Sequence, residues 1–211
     1  MQHFRSFSVI FWAFLLFYAS PTLAAAPLGV PFTSQAPFGN WASPWQDFCE
    51  EASVVMAAHF VWGLPITPEI ADLEMQLIRK YEEFVFGRYK DTSVDATASI
   101  LKNLYGFKNI TVKKIASTGD IKKEITAGNI VIVPAAGRML KNPNFRGPGP
   151  LYHMLVVHGF DDVRDVFISH DPGTRNGKNF SYNQTSLFNA IHDWNYGDVM
   201  RGEKKMIVVG K

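Results

Sequence analysis

The chain has 211 residues, a formal net charge of +2, 47% hydrophobic and 14% aromatic residues, and one cysteine. That length suits a single domain that can bury a full core without disulfides, and one cysteine rules out an intramolecular bridge. Acids and bases are mixed throughout with no basic run or stripe, which argues against nucleic-acid binding as the main task.

Residues 1–26 read as a secretory signal. His3 and Arg5 lie at the polar start, an apolar run covers about 9–18, and small residues at Thr22, Ala24 and Ala26 suit signal peptidase. The run is shorter than the roughly 20 residues that a membrane-spanning helix needs. The expectation is export to the periplasm or beyond, no stable membrane anchor after cleavage, and one domain over 27–211. A lone cysteine in an oxidising compartment pairs with another molecule, stays buried, or serves as a reactive thiol.

Residues 30–35 read as a short strand and 36–44 as a loop carrying Pro37, Gly39, Asn40, Ser43 and Pro44. Trp41 and Trp45 flank the approach to Cys49 and are candidate walls of a substrate groove. Ala52, Val55, Met56, His59 and Phe60 recur at helical spacing, with Gly63 as the stop. Asp47 and Glu50 form a candidate capping box, which places Cys49 in the first turn. Free N–H groups and the helix dipole there favour a thiolate. At about 100° per residue, Glu50 and Glu51 are expected to point away from the sulfur.

Pro68 opens a second helix whose apolar face is read as Ile70, Leu73, Leu77, Ile78, Tyr81 and Val85, with charges on a solvated face. Thr92 or Ser93 caps a third helix, with Ala96, Ile100 and Leu104 facing inward. A strand over 108–115 and a short helix to Ala127 follow. Residues 129–134 are a continuous apolar run, as in a central strand. Residues 151–160 and 165–169 form a hairpin, 180–182 a short strand, 185–194 a helix and 206–209 a last strand. Helices first and strands afterwards give an α+β fold class.

A thiol nucleophile needs a base, and the base needs an orienting acceptor. His59 reads as a packed residue and His192 as a helix-end cation. His153 and His158 point to opposite faces of one strand, so only one of them can look at Cys49. A hairpin turned at Asp161-Asp162 sets the start of its first strand beside the end of its second, pairing His153 with Asp171. Cys49, His153 and Asp171 are therefore the candidate catalytic residues. No His pair has ligand spacing with a third partner, so neither metal nor cofactor is expected.

The pieces Val30-Pro31-Phe32-Thr33-Ser34-Gln35, Cys49 with Ala52-Ser53, Tyr152-His153-Met154-Leu155-Val156-Val157-His158-Gly159-Phe160 and Asp171-Pro172-Gly173 occur in a telling order. In that order the sequence resembles the papain-like cysteine peptidases related to the bacteriocin-processing, double-glycine-leader peptidases, over about residues 28–210. The resemblance implies N-terminal helices packed on a C-terminal antiparallel sheet. It implies Cys49 as nucleophile, His153 as base, Asp171 as its orienter, and an upstream glutamine donating to the oxyanion with the Cys49 N–H. Gln35 fits the family order, while Gln46 lies nearer the cysteine and stays its rival. The chain departs from the family in having Cys49-Glu50-Glu51 where Cys-Gly-Pro is common, and in the inserted loop 36–44. The implied activity is cleavage of a peptide or amide bond in a peptide or protein, cell-wall peptide included. The alternatives are an inactive papain-like domain that binds peptides or cell-wall fragments, and a cell-wall amidase or acyltransferase.

Overall fold

A computed structural model describes residues 24–211, so the signal-peptide reading falls, apart from its last residues, outside what is described. The helix α1, Cys49–Trp62, is buried on every side from Cys49 to Phe60. A helix that is apolar all round belongs inside a fold, and here it runs between the sheet and two further helices. It stops where expected, at Gly63, whose φ of 69° is the left-handed conformation that glycine adopts without strain.

Helix α2, Pro68–Phe86, starts at a Thr67 cap, and α3, Val94–Asn103, at a Ser93 cap. Both caps follow from side-chain oxygens that accept from the third backbone N–H beyond them. Helix α4 is Thr118–Thr126 and opens on a true capping box between Ser117 and Asp120. Helix α5, Gln184–Ala190, is shorter than expected, and His192 lies beyond it.

The strands are β1 Ala24–Ala25, β2 Ile110–Lys114, β3 Ile130–Ala136, β4 Tyr152–Asp161, β5 Val166–His170, β6 Phe180–Asn183 and β7 Lys205–Val209. They form one antiparallel sheet in the order β2-β7-β3-β4-β5-β6, with β1 added beside the end of β4. Alternation along β4 divides the core. Tyr152, Met154 and Val156 join the core shared with α1, α2 and α3, whereas Leu155 and Val157 join the core under α4 and α5. Burial on both faces explains why β3 reads as an unbroken apolar run.

Three local expectations change. Residues 30–35 are not a strand. This segment is held by scattered bonds instead of a ladder: Leu28 N–H donates to His158 O, His170 Nε2 donates to Val30 O, and Gln35 N–H donates to Pro172 O. Asp47 does not cap α1. It sits in a 3-10 turn, Trp45–Asp47, that runs straight into the helix, so Phe48 occupies the cap position and Asp47 pairs with Lys90 at 2.5 Å. The buried stripe of α2 is Ala71, Met75, Ile78 and Glu82, while Leu73 and Leu77 face solvent. Small and flexible residues let α2 approach α1 closely, and that contact set the face in place of the larger side chains.

Candidate active site

Three elements converge on one groove of about 750 Å³: the start of α1, the start of β4 and the turn after β5. Cys49 is the first residue of α1, where a backbone N–H has no intrahelical partner. His153 is the second residue of β4, opposite Ala135 of β3. Asp171 directly follows β5, whose last residue pairs with Val156. The hairpin thus brings His153 and Asp171 together as the strand argument required, and His153 Nε2 donates to Asp171 Oδ1 at 2.8 Å. A carboxylate only accepts, so Nε2 carries the proton and Nδ1 is the ring nitrogen left for chemistry.

Asp171 is fully buried and accepts from four donors. His153 Nε2 and the Gly173 N–H reach Oδ1, and Asn142 Nδ2 and the Tyr182 hydroxyl reach Oδ2. Burial alone would raise its pKa. The charge and hydrogen bond of His153, with the bonds from Tyr182 and Gly173, outweigh burial and hold the carboxyl below its ordinary range. Phe145 meets the His153 ring edge-on at 5.3 Å, and Gly173 lies against both rings. A Cβ at Gly173 would stand 2.8 Å from His153 Cε1 and 3.0 Å from Phe145 Cε1. Gly173→Ala should therefore tilt the imidazole and lower kcat by about 10²-fold, the order expected for a misplacement near 1 Å. Thermal unfolding should change little by comparison, and an unaltered kcat would show that this ring position is not critical.

Cys49 departs from expectation. Its thiol donates to Glu50 Oε2 at 2.9 Å, so the neighbouring carboxylate turns toward the sulfur. The 100° step between residues fixes the Cβ direction only, and three rotatable bonds brought the carboxylate back. Burial pushes the thiol well up, and the charge and hydrogen bond of Glu50, then the charge of Glu51, push it further. These causes and the bond to Glu50 favour the thiol over the thiolate expected at the helix start. Among the described residues no hydrogen bond joins Cys49 to His153, although both line the groove.

Gln35 and Gln46 both line the groove. Gln35 is buried, its Nε2 donates to Trp45 O at 3.0 Å, and its Oε1 has no partner among the described residues. Gln46 is exposed. Trp41 lines the groove; Trp45 does not, because its indole N–H donates to Asp72 of α2 at 2.6 Å and its ring packs on the core. His158 lies away from the groove: Nδ1 donates to Leu28 O, and its ring meets that of His170 at a 45° tilt with centroids 4.2 Å apart. Burial, then the neighbouring His170, pull the His158 pKa down to about 3. Among the described residues, no cluster of three or more His, Cys, Asp or Glu side chains could hold a metal ion.

The sequence argument missed Glu50, Asn142 and Tyr182. Asn142 and Tyr182 reach Asp171 from a loop and from a neighbouring strand, and only the sheet order reveals that proximity.

Comparison with known proteins bears on the fold and the family. No curated protein matches the chain. A crystal structure described as a C39-like peptidase from Bacillus anthracis superposes with a TM-score of 0.56 at 14% identity, covering 87% of this chain and 95% of that one. At that identity the likeness speaks for the fold, which is the papain-like one of C39-type peptidases. The sequence profile of the Peptidase_C39 like family matches residues 27–198, and this chain belongs to that family.

Proposed function

We propose that the protein is an exported thiol hydrolase that cleaves a peptide or amide bond through a Cys49 acyl-enzyme. The observation that carries this reading is the buried His153–Asp171 pair, with His153 lining the same groove as Cys49. In the reaction His153 Nδ1 takes the thiol proton as sulfur bonds to the substrate carbonyl carbon. The oxyanion is held by the Cys49 N–H and a glutamine amide. The C–N bond breaks, and the amine leaves with the proton from Nδ1. Water then gives a proton to Nδ1 and adds to the thioester, the C–S bond breaks, and sulfur recovers its proton.

Gln35 is the better oxyanion donor, because one amide N–H is anchored on Trp45 O and the other is left in a fixed position. Gln46, exposed, has no such preorganisation. The substrate is a peptide or protein, with cell-wall peptide within the same chemistry, and Trp41 offers an apolar wall. Export rests on residues 1–26.

Intact-mass detection of a thioester on Cys49 during cleavage of a peptide library tests the reading. Gln35→Ala should cost on the order of 10²–10³ in kcat and Gln46→Ala only a few-fold. No cleavage and no adduct across ester, amide and cell-wall peptide substrates would reject it. A second reading, an inactive papain-like domain that binds peptides, draws support from the thiol's bond to Glu50 instead of His153. It requires a thiol whose reactivity does not depend on His153.

A further inference from the structure

We propose that Glu50 is a catalytic residue that controls the proton of the nucleophile. As a carboxylate it keeps Cys49 protonated, and only as a carboxylic acid does it let the thiol proton pass to His153. This inference rests on the thiol-hydrolase reading above and adds regulation to the same site.

The geometry fixes the contact. Glu50 is 1% exposed, and its two oxygens do different jobs. Oε2 accepts from the Cys49 thiol at 2.9 Å, and Oε1 accepts from the Thr92 N–H at 3.0 Å. Thr92 is held in turn, because Tyr152 donates from its hydroxyl to Thr92 O at 3.1 Å. The residue before it, Asp91, sits at φ 51°, in the left-handed region. The carboxylate is thus clamped and cannot swing into solvent when the sulfur changes charge. A thiolate facing an ionised carboxylate at this distance, away from water, is strongly disfavoured. The two groups therefore hold at least one proton between them.

The surroundings decide where that proton is at a given pH. Glu51 on α1, Glu82 on α2, Asp91 before α3, and Tyr152 and His153 on β4 face this region. Asp47 is nearby but paired with Lys90. Among the described residues neither Lys nor Arg forms an ion pair with Glu50. Burial, with the charge of Asp91 adding to it, raises the Glu50 pKa to about 7. The carboxyl therefore changes state near neutrality.

When Glu50 is protonated, its O–H can donate to sulfur. The thiol proton moves to His153 Nδ1, leaving a thiolate that accepts from Glu50 and pairs with the imidazolium. Attack, departure of the amine and hydrolysis then follow as above. The Glu50 proton is neither gained nor lost over a turnover. When Glu50 is ionised, the thiol stays locked to it.

The test is the iodoacetamide alkylation rate of the full chain across pH 5–9. The wild type should slow as pH rises through about 7 and speed up again only where the thiol ionises by itself. Glu50→Gln is isosteric, keeps an acceptor for Thr92 N–H and offers N–H to sulfur. It should erase the falling limb and raise the rate at pH 8 by about tenfold or more. A wild-type profile that only rises with pH, or a Glu50→Gln profile that matches the wild type, overturns the proposal. His153→Ala separates the two readings. If it leaves alkylation unchanged, the hydrolase reading fails. If it slows alkylation below pH 7 while Glu50→Gln has no effect, the hydrolase stands and Glu50 is not its switch.

Discussion

Asp171→Asn should lower kcat/KM by about 10³–10⁴-fold, and His153→Ala by at least as much. The reason is the donor count around Asp171. All four of its contacts are donors: the imidazole N–H, the Gly173 N–H, an Asn142 amide and the Tyr182 hydroxyl. An asparagine keeps one acceptor oxygen and sets an N–H₂ group against donors on its other side. If that group faces His153, the imidazole moves its proton to Nδ1, and the ring nitrogen that should accept from Cys49 is no longer a base. If it faces Tyr182 and Asn142, a buried donor is left unpaired. Either outcome costs about 1–3 kcal/mol of stability for a group fully out of water. Tyr182→Phe removes only one of the four donors. It should cost about tenfold in rate, since the two bonds on Oδ1 remain. Steady-state kinetics with urea unfolding on the three variants separates these effects. An Asp171→Asn enzyme within tenfold of the wild type would mean that His153 is not held by Asp171 for catalysis.

The pair at the heart of that expectation was visible in the sequence because it depends on local rules. A strand of alternating faces, a hairpin turn at Asp161-Asp162 and a residue just past the second strand suffice to join His153 to Asp171. The unbroken apolar run of β3 and the stop at Gly63 were legible for the same reason. Glu82 was not. It lies four residues beyond Ile78, on the stripe that meets α1, but a glutamate in a charged helix reads as a solvated residue. Only the packing of α2 on α1 shows that it is enclosed. The segment 30–35 was misread because its partners are more than a hundred residues away: Val30 O accepts from His170, Phe32 meets the His170 ring edge-on at 5.3 Å, and Gln35 N–H donates to Pro172 O. Trp45 follows the same logic: its partner Asp72 belongs to another helix.

The enclosed glutamates should make the fold less stable as pH rises, and Glu82→Gln should reverse much of that loss. Neither oxygen of Glu51 or Glu82 meets a donor in hydrogen-bonding geometry among the described residues. Burial, then the charge of Glu50, raises the Glu82 pKa to about 9, and burial with the charges of Glu82 and Glu50 raises Glu51 as well. In the unfolded chain these carboxyls titrate near 4.3. The folded state therefore binds more protons than the unfolded state between those values. Stability is fully present below the unfolded pKa and is lost as pH climbs toward the folded one. For Glu82 at pH 8 the loss is on the order of 3–5 kcal/mol, from about 1.4 kcal/mol for each pKa unit. A neutral glutamine of the same shape avoids that loss. Urea midpoints should coincide for the wild type and Glu82→Gln near pH 4 and separate by pH 8, with the variant the more stable. Equal midpoints at pH 8 would show that the cluster is neutralised in some other way. The same variant is a control for Cys49: Glu82 and Glu50 repel each other only when both are charged, and Glu82, raised to about 9, is still protonated where Glu50 titrates near 7. Glu82→Gln should therefore leave the falling limb of thiol reactivity where it stands in the wild type. A stability curve that shifts while the reactivity curve stays in place would separate Glu82, which acts on the fold, from Glu50, which acts on the thiol.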